Sequence, residues 1–399
     1  MTKRPTRREA LALSGILTAS RVQAQSSEQG RGRQPLTYPG LAYRDYSRCW
    51  PDFLRELATK AYHRRNHELA KLTSREAISA RQRWVTETFW RIVGGQPART
   101  PLRARTINSF ERPGYRLEKV VYESRPGLVI PANLYVPTTG APPYSGVLFQ
   151  MGHSLNGKAN EPYQKCCQGL ARLGYIVLAF DPMGQGERTY YPAASGLTRF
   201  GSADTEHTYP GKQMLLVGDT ATRLQVWDAV RSLDYLAQRP EVDPKRLGCT
   251  GQSGGGTLTM LLAAVDDRLA AAAVASGNTE NFACANFNPP GSTDDAEQDL
   301  IGSGAAGFDR WDLLYPMAPK PLLIIVSARD FFGTYSPQYI SSGWEEYRKL
   351  RHVYAVLGHK EQLAWADTPL PHGLSYYPRL RIYNWFERWL KGSSTTIER

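Results

Sequence analysis

Short apolar runs alternate with amphipathic segments along most of the chain after residue 145. Each apolar run has the length of one buried β-strand, and each amphipathic segment has the apolar spacing of an α-helix. The predicted strands are Gly146–Met151, Tyr175–Phe180, Leu247–Thr250, Leu269–Val274, Pro321–Ser327 and Gln362–Ala366. The predicted helices are Tyr163–Leu173, Thr220–Gln238, Leu258–Val265, Trp344–Leu357 and Arg379–Leu390. This alternation predicts an α/β fold in which helices cover both faces of a mostly parallel sheet, and such sheets bind ligands at the carboxyl ends of their strands.

The chain before this alternation has a different pattern. Residues Tyr43–Gly95 have helical spacing and many arginines, and a capping box at Thr73-Ser74-Arg75-Glu76 predicts a helix start. Two extended segments follow, Tyr115–Ser124 and Leu128–Val136, separated by an Arg-Pro-Gly turn. We therefore expect an N-terminal helical extension with its linker over residues 25–105, the α/β domain over 106–392 and a short tail over 393–399.

Two long segments interrupt the alternation, Thr189–Gly218 and Gly277–Gly307. Long irregular segments in a compact domain are usually functional or disordered. Both follow predicted strands and should leave the sheet at its carboxyl edge. We expect them to form walls of a substrate site, and surface decoration is the alternative.

The first 24 residues resemble a bacterial export leader. Basic residues lie between Lys3 and Arg8, an apolar run follows over Ala10–Ala19, and Val22-Gln23-Ala24 resembles a cleavage site. The paired arginines favour the twin-arginine route, which predicts a periplasmic or extracellular protein. The alternative is a disordered basic tail, which Arg21 favours. The apolar run is too short to span a bilayer, so no stable membrane anchor is expected.

Composition narrows the functional classes further. The chain has 41% hydrophobic and 22% charged residues, as a globular protein does, and a net charge of +12. Its arginines and lysines form no dense stripe with interleaved aromatics, so nucleic acid is not an expected partner. The five cysteines have no metal-ligand spacing and are too sparse for a disulfide scaffold. Cys249 fits a buried strand, whereas Cys166 and Cys167 suggest no role. The sequence predicts no metal ion and indicates no oligomeric state.

The most specific chemical signal is Ser253 in the segment RLGCTGQSGGGTLTMLLAAV, Arg246–Val265. A strand, a glycine-rich turn and an apolar helix surround a G-x-S-x-G string, which is the context of a nucleophilic serine. The sharp turn forces the serine into a strained conformation, so the residues two before and two after it must lack side chains. Gly251 and Gly255 meet that need. Ser253 is therefore the candidate nucleophile.

A nucleophilic serine also needs a general base and an acid that orients it, and the chain offers both later in its sequence. Asp330 comes three residues after the predicted strand Pro321–Ser327, and His372 lies between the last predicted strand and the last helix. Asp367 is the rival acid, although it stands only five residues before His372. We therefore predict Ser253, Asp330 and His372 as nucleophile, acid and base.

An oxyanion hole needs two N–H donors. The first should be the backbone of Gly254, directly after the nucleophile, and the second the backbone of His153, in the loop after an early strand. The His153 ring could contact substrate or have no role.

The segment DPMGQGER follows the strand Tyr175–Phe180 and provides Asp181, Gln185 and Arg188 as possible substrate-site residues. We expect Asp181 and Arg188 to form an ion pair that organises the loop. Direct substrate contact is the alternative.

With these motifs in place, the chain resembles acetyl xylan esterase-like α/β-hydrolases of bacteria over Tyr43–Gly392. The resemblance rests on FWRIVGG, SRPGLVIPANLYVP, GHSLNGK, DPMGQGER, TGQSGGGT, DAEQ at Asp295–Gln298, ARDFFG and PHG. It implies the α/β-hydrolase fold, serine-type ester hydrolysis without a cofactor, and the positions Ser253, Asp330 and His372 for the triad. It also implies an acylated carbohydrate or another small ester as substrate. The 22 tyrosines and 9 tryptophans suit a polysaccharide-facing enzyme.

Three other functions are weighed against this one. A serine peptidase of prolyl-oligopeptidase type shares the fold and triad, but fewer than 120 residues precede the strands here, too few for the propeller of such enzymes. An inactive relative that binds glycans or a partner protein would not need the complete set of serine, acid and histidine. A lipase is disfavoured because no amphipathic lid helix is evident.

Overall fold

The computed structural model describes residues 46–277, 295–330 and 338–398. The chain divides into two compact units, residues 1–53 and 54–399. Of the first unit, residues 46–53 are described and are helical. The predicted export leader lies outside the described residues. The helix that begins at Tyr46 continues into the second unit, which also contains the sheet.

A nine-stranded sheet runs through this unit. Its strands are β1 Arg105–Arg112, β2 Tyr115–Arg125, β3 Leu128–Pro137, β4 Tyr144–Gln150, β5 Tyr175–Phe180, β6 Val242–Gln252, β7 Leu269–Ala275, β8 Leu322–Arg329 and β9 Leu363–Pro371. The spatial order is β1-β2-β3-β5-β4-β6-β7-β8-β9. The pairs from β1 to β5 are antiparallel, and the pairs from β5 to β9 are parallel. The predicted mostly parallel sheet is confirmed.

Helices cover both faces of the sheet, as predicted. They are α1 Tyr46–Leu69, α2 Arg75–Ile92, α3 Glu161–Arg172, α4 Ala203–Leu216, α5 Ala221–Ala237, α6 Gly254–Val265, the single turn α7 Ser303–Ala306, α8 Gln338–Val356 and α9 Tyr376–Leu390. Residues of α3 and α9 share one apolar core with the sheet. Residues of α2, α5, α6 and α8 share the core on the opposite face.

Burial explains why the central strands carry uninterrupted apolar runs. All six residues of β5 are buried, because helices exclude water from both of its faces. On one face, Ile382 and Phe386 of α9 pack in the core with α3. On the other face, Trp227 of α5 is fully buried, and its ring lies edge-on to that of Trp90 in α2. Helix α2 is therefore part of the same core as the sheet, while the predicted domain boundaries stay a prediction.

Two segments differ from the sequence expectations. Strand β1 was not predicted. It begins at residue 105, where the linker of the helical extension was expected to end, and it forms one edge of the sheet. The segment Thr189–Gly218, expected to be irregular, contains the 14-residue helix α4. Of the second expected loop, residues 278–294 lie outside the described residues, and the remainder includes α7.

No helix in the described parts of the chain has both the length and the apolar character needed to cross a bilayer.

Candidate active site

Ser253 lies at the turn between β6 and α6, as predicted. Its backbone has φ 61° and ψ −126°, a conformation that residues with a side chain rarely adopt. Its N–H donates to the carbonyl of Ala275 in the neighbouring strand, at 3.0 Å. Strain of this kind persists where the surrounding structure holds it in place, and it is frequent at functional sites.

The glycines around Ser253 allow the strand and helix to approach closely. A Cβ atom added to Gly251 would lie 2.3 Å from the carbonyl oxygen of Gly255 and 2.5 Å from that of Gln150. One added to Gly255 would lie 2.1 Å from the Gln150 oxygen. Because all of these neighbours are backbone atoms, neither position accepts a side chain without a shift of the strand or the helix. The requirement predicted for Gly251 and Gly255 is confirmed.

The structure brings His372 and Asp330 together across the ends of β8 and β9. His372 Nδ1 lies 2.6 Å from Asp330 Oδ2, and both side chains are largely buried. The rival acid Asp367 instead accepts a hydrogen bond from Trp365 Nε1 at 2.6 Å, on an exposed part of β9. Geometry therefore favours Asp330 as the partner of His372.

Gln252, a residue to which the sequence assigns no role, joins His372 to the turn that carries Ser253. Its amide Nε2 lies 3.0 Å from His372 Nε2, and its Oε1 accepts a hydrogen bond from the hydroxyl of Tyr163 at 3.2 Å. The amide nitrogen of Gln252 thus faces His372 Nε2, and the other ring nitrogen, Nδ1, faces Asp330. The ring therefore lies between the buried acid and the turn that carries Ser253.

The two predicted oxyanion donors lie on adjacent elements. Gly254 is the first residue of α6, so its N–H has no acceptor within the helix. In the described residues, the His153 N–H donates no hydrogen bond to another backbone group. Gln185 holds the backbone on both sides of His153, since it donates to Gly152 O at 3.2 Å and accepts from Ser154 N at 3.3 Å. Gln185 thus stabilises the backbone conformation of the loop that holds the predicted oxyanion donor.

The predicted ion pair between Asp181 and Arg188 is wrong. Asp181 accepts from the backbone N–H of Lys158 at 2.7 Å and from its Nζ at 2.5 Å, which ties DPMGQGER to GHSLNGK. Arg188 pairs with Asp228 of α5 at 2.7 Å and donates to the backbone carbonyl of Asp181. The two side chains are buried and take different partners because each lies beside a different element. Their direct contact with substrate stays a prediction.

A second polar cluster lies beside Gly254. Of its four members, only His153 has a role predicted from the sequence. The ring of His153 lies 2.6 Å from Asp295 through Nε2, and the ring of His207 lies 3.1 Å from Asp295 through Nδ1. Glu297 completes the cluster, 3.8 Å from the His153 ring and 3.7 Å from the His207 ring. His207 comes from α4, so the segment expected to be a site wall does reach the site.

Electrostatics in this cluster shift all four pKa values. Burial alone would lower the pKa of His153, but Glu297 and Asp295 outweigh it and raise the pKa to about 10. Burial also opposes protonation of His207, whose pKa Asp295 raises. The same imidazoles outweigh the burial of Asp295 and lower its pKa, whereas burial and the nearby Asp295 raise the pKa of Glu297. The cluster therefore favours protonation of its imidazoles beside Asp295 and disfavours ionisation of Glu297.

The sequence contained a partial signal for this cluster. Asp295 and Glu297 belong to the DAEQ motif that supported the family resemblance, and His207 lies within the segment expected to form a site wall. Their convergence on the His153 ring depends on the path of α4 and of residues 295–298, which no local pattern specifies. Gln252 likewise precedes Ser253 in the motif, but its contact with His372 is tertiary.

Comparison with known proteins relates part of the chain to a hydrolase family. Residues 130–301 match the dienelactone hydrolase family. The Bacillus subtilis (strain 168) protein YtaP, which carries the name of a hydrolase, is 30% identical over 193 residues, covering 45% of this chain and 59% of that protein. The chain thus spans about three fifths of the length of this curated relative.

Solved structures with the same fold include several esterases. The methylesterase BT1017 aligns with a TM-score of 0.64 at 21% identity, covering 84% of this chain and 68% of that chain. A glucuronoyl esterase from Solibacter usitatus has a TM-score of 0.58 at 15% identity, with 79% and 94% covered. Acetyl xylan esterase 1 from Thermoanaerobacterium sp. JW/SL YS485 has a TM-score of 0.50 at 17% identity, with 76% and 93% covered. Such identities establish the fold alone. The sheet order and the strand-turn-helix at Ser253 thus belong to an α/β-hydrolase-like fold, within which residues 130–301 match the dienelactone hydrolase family.

Proposed function

We propose that this protein is a serine carboxylic-ester hydrolase that acts through an acyl-enzyme. The observation that carries the proposal is the contact of His372 with both Asp330 and Gln252, next to the strained Ser253. One contact holds the ring against a buried acid, and the other places its Nε2 beside the residue that precedes Ser253. A purely structural role would require neither the strained backbone of Ser253 nor a buried acid beside His372.

In the proposed mechanism, Ser253 Oγ attacks the carbonyl carbon of an ester while His372 Nε2 takes the hydroxyl proton. Asp330 holds the ring and stabilises its charged form. The N–H groups of Gly254 and His153 stabilise the negative oxygen of the tetrahedral intermediate. His372 returns the proton to the leaving alcohol, and a water molecule activated by the same ring then releases the acid and frees Ser253.

We propose acylated plant cell-wall carbohydrates as substrates, and acetyl esters of xylan first among them. The sequence resembles acetyl xylan esterases, and the structural neighbours carry the names of acetyl xylan, glucuronoyl and methyl esterases. The export leader predicted over residues 1–24 would bring the protein to such material. Esters of uronic acids are the second substrate class, because two of these neighbours are a methylesterase and a glucuronoyl esterase.

The test compares acetate release from acetylated xylan by the wild-type protein, Ser253→Ala and a matched control, Ser109→Ala. Ser109 is exposed on the edge strand β1, so its loss should leave activity unchanged. Acetate release that the control retains and Ser253→Ala abolishes would support the full proposal. If p-nitrophenyl acetate is cleaved through Ser253 while xylan is not, the serine mechanism stands and the search moves to methyl esters of uronic acids.

Two further measurements separate this proposal from its rivals. A fluorophosphonate probe should label Ser253 in the wild-type protein, and absence of labelling in folded protein would favour a non-catalytic binding protein. Cleavage of a prolyl peptide substrate together with failure on every ester would favour a peptidase. Full ester hydrolysis by Ser253→Ala would refute the mechanism.

A further inference from the structure

Four side chains of metal-ligating type converge beside the Ser253 turn from three separate parts of the chain. His153 comes from the loop after β4, His207 from α4, and Asp295 and Glu297 from the turn before α7. One ligand atom from each lies within 4.8 Å of the others. The two rings approach each other as well, since His153 Nε2 lies 3.4 Å from His207 Nδ1. The four side chains therefore present their potential ligand atoms to one small region.

Two details point to a cation as the missing partner. His207 Nε2 donates its proton to the backbone carbonyl of Met183 at 2.6 Å, which leaves Nδ1 as the ring nitrogen that faces the cluster. A carbonyl that fixes a ring in this way is the usual outer partner of a metal-bound histidine. The second detail is Glu297 Oε1, which accepts no hydrogen bond from the described residues although Glu297 is 1% exposed. A carboxylate in such a place can ionise only beside a positive charge.

We propose that His153, His207, Asp295 and Glu297 bind one divalent transition-metal ion, with Zn²⁺ as the reference ion. Four ligands about 2.05 Å from a tetrahedral ion lie about 3.3 Å from one another. Pairs that include a histidine nitrogen lie 2.6 to 3.8 Å apart, and one ligand atom from each of the four residues lies within 4.8 Å of the others, so modest side-chain shifts would bring the set to that spacing. Binding of the ion would displace the protons of the two imidazoles and of Glu297, and the two carboxylates would then balance its charge in the buried site. Two nitrogen ligands favour such an ion over Mg²⁺ or Ca²⁺, which prefer oxygen. This site goes beyond the composition-based expectation of no metal.

The position of the ion gives it a structural role at the active site. Four protein ligands fill a tetrahedral shell and leave no open position, as in structural zinc sites. The His153 ring lies within 3.1 Å of the point where a Cβ of Gly254 would be. An ion that holds this ring would join the loop of one proposed oxyanion donor to the residue that carries the other. The ion would therefore fix the distance between the two donors without contacting substrate.

The test measures metal content rather than activity. Wild-type protein, His207→Gln and Asp295→Asn are equilibrated with Zn²⁺, dialysed and analysed for bound zinc, and circular dichroism checks that each is folded. His359→Gln is the matched control, because His359 is solvent-accessible and remote in sequence from the cluster. We expect one Zn²⁺ per chain in the wild type and the control. Loss of a residue that only contacts a metal ligand lowers metal affinity roughly 10- to 100-fold. Each cluster variant loses a ligand itself, so its affinity for Zn²⁺ should fall further.

A second measurement protects the test against variants that fail to fold. Wild-type protein loaded with Co²⁺ should show visible absorption bands of a tetrahedral ion, and Zn²⁺ should displace them. Two results would refute the site: wild-type protein that holds no more zinc than chelator-treated protein, or cluster variants that both retain zinc. The cluster would then be a buried imidazole–carboxylate network. Ser253→Ala should bind zinc like the wild type, so this result does not depend on the proposed esterase activity.

Discussion

Substitution of Arg65 in α1 tests whether this helix is an integral part of the unit that carries the sheet. Its guanidinium donates to Asp312 at 2.5 Å and to Glu346 at 2.8 Å, and all three side chains are buried. Asp312 also pairs with Arg81, and Glu346 with Lys349. This network joins α1 and α2 to the segment before β8 and to α8. Arg65→Met keeps much of the side-chain volume and removes the central cation.

The structure sets the size of the expected effect. Removal of one partner from a buried ion pair usually costs about 3–5 kcal/mol, because the other charge stays buried without compensation. Here Asp312 and Glu346 each keep one cation after Arg65 is lost. We therefore expect the lower end, a loss of about 3 kcal/mol in the free energy of unfolding, or roughly two powers of ten in the equilibrium constant.

Urea unfolding followed by tryptophan fluorescence at pH 7 measures this loss. Arg64→Met is the matched control, because Arg64 is the preceding residue of the same helix and is exposed. The control should change the free energy of unfolding by no more than about 0.5 kcal/mol. A loss below about 1 kcal/mol for Arg65→Met would refute the reasoning, because the network would then not hold the helical segment to the rest of the unit.

The same network predicts how stability depends on pH. Burial would raise the pKa of Asp312 and of Glu346, but Arg65 and its neighbouring cations outweigh burial and lower both values. A carboxylate with a lowered pKa in the folded state stabilises the protein above its unfolded pKa of about 4 and loses that contribution as pH falls through the folded value. The stability difference between wild type and Arg65→Met should therefore shrink below pH 4. A constant difference from pH 7 to pH 3 would contradict this assignment.

Two further predictions concern the acid of the triad and the cysteines. Asp330→Asn should lower kcat by on the order of 10⁴-fold, whereas Asp367→Asn should change it little, and the reverse ranking would exchange the two acids. Burial raises the pKa of the Cys166 and Cys249 thiols to about 12. In native protein at pH 8, a thiol reagent followed by peptide mapping should therefore modify the exposed Cys49 and spare both until urea is added. Rapid modification of Cys249 without denaturant would mean that the sheet core opens.

Sequence patterns predicted those parts of the fold whose cause is local. The strand Tyr175–Phe180 has the predicted bounds, because its six apolar residues are buried on both faces. The turn at Ser253 was predicted for a similar reason, since the close approach of backbone atoms there leaves room for glycine alone at Gly251 and Gly255. In both cases the identity of the residues and the physical requirement lie in the same short segment.

Helix α4 was missed because its buried face carries almost no apolar periodicity. The residues it buries are Ala203, Glu206, His207 and Gly211, and Pro210 lies inside the helix. A pattern search reads such a segment as a loop, since polar and small residues normally face solvent. Strand β1 was missed for a related reason, because it is an edge strand with almost every residue exposed. Both elements are specified by their neighbours rather than by their own composition.

The polar pairs of the site show most clearly where sequence reasoning ends. His372 and Asp330 are 42 residues apart, and His207 and Asp295 are 88 residues apart. Buried charged groups give little or no net stability, because their desolvation offsets their attraction. Such pairs therefore do not drive the chain into this arrangement. Burial of the apolar core stabilises the sheet, and the sheet in turn places these polar residues at the carboxyl ends of its strands. A sequence that predicts the sheet can therefore indicate which loops meet at that edge. Which acid meets which base depends on the paths of those loops, and the ion pair predicted between Asp181 and Arg188 of one loop was wrong.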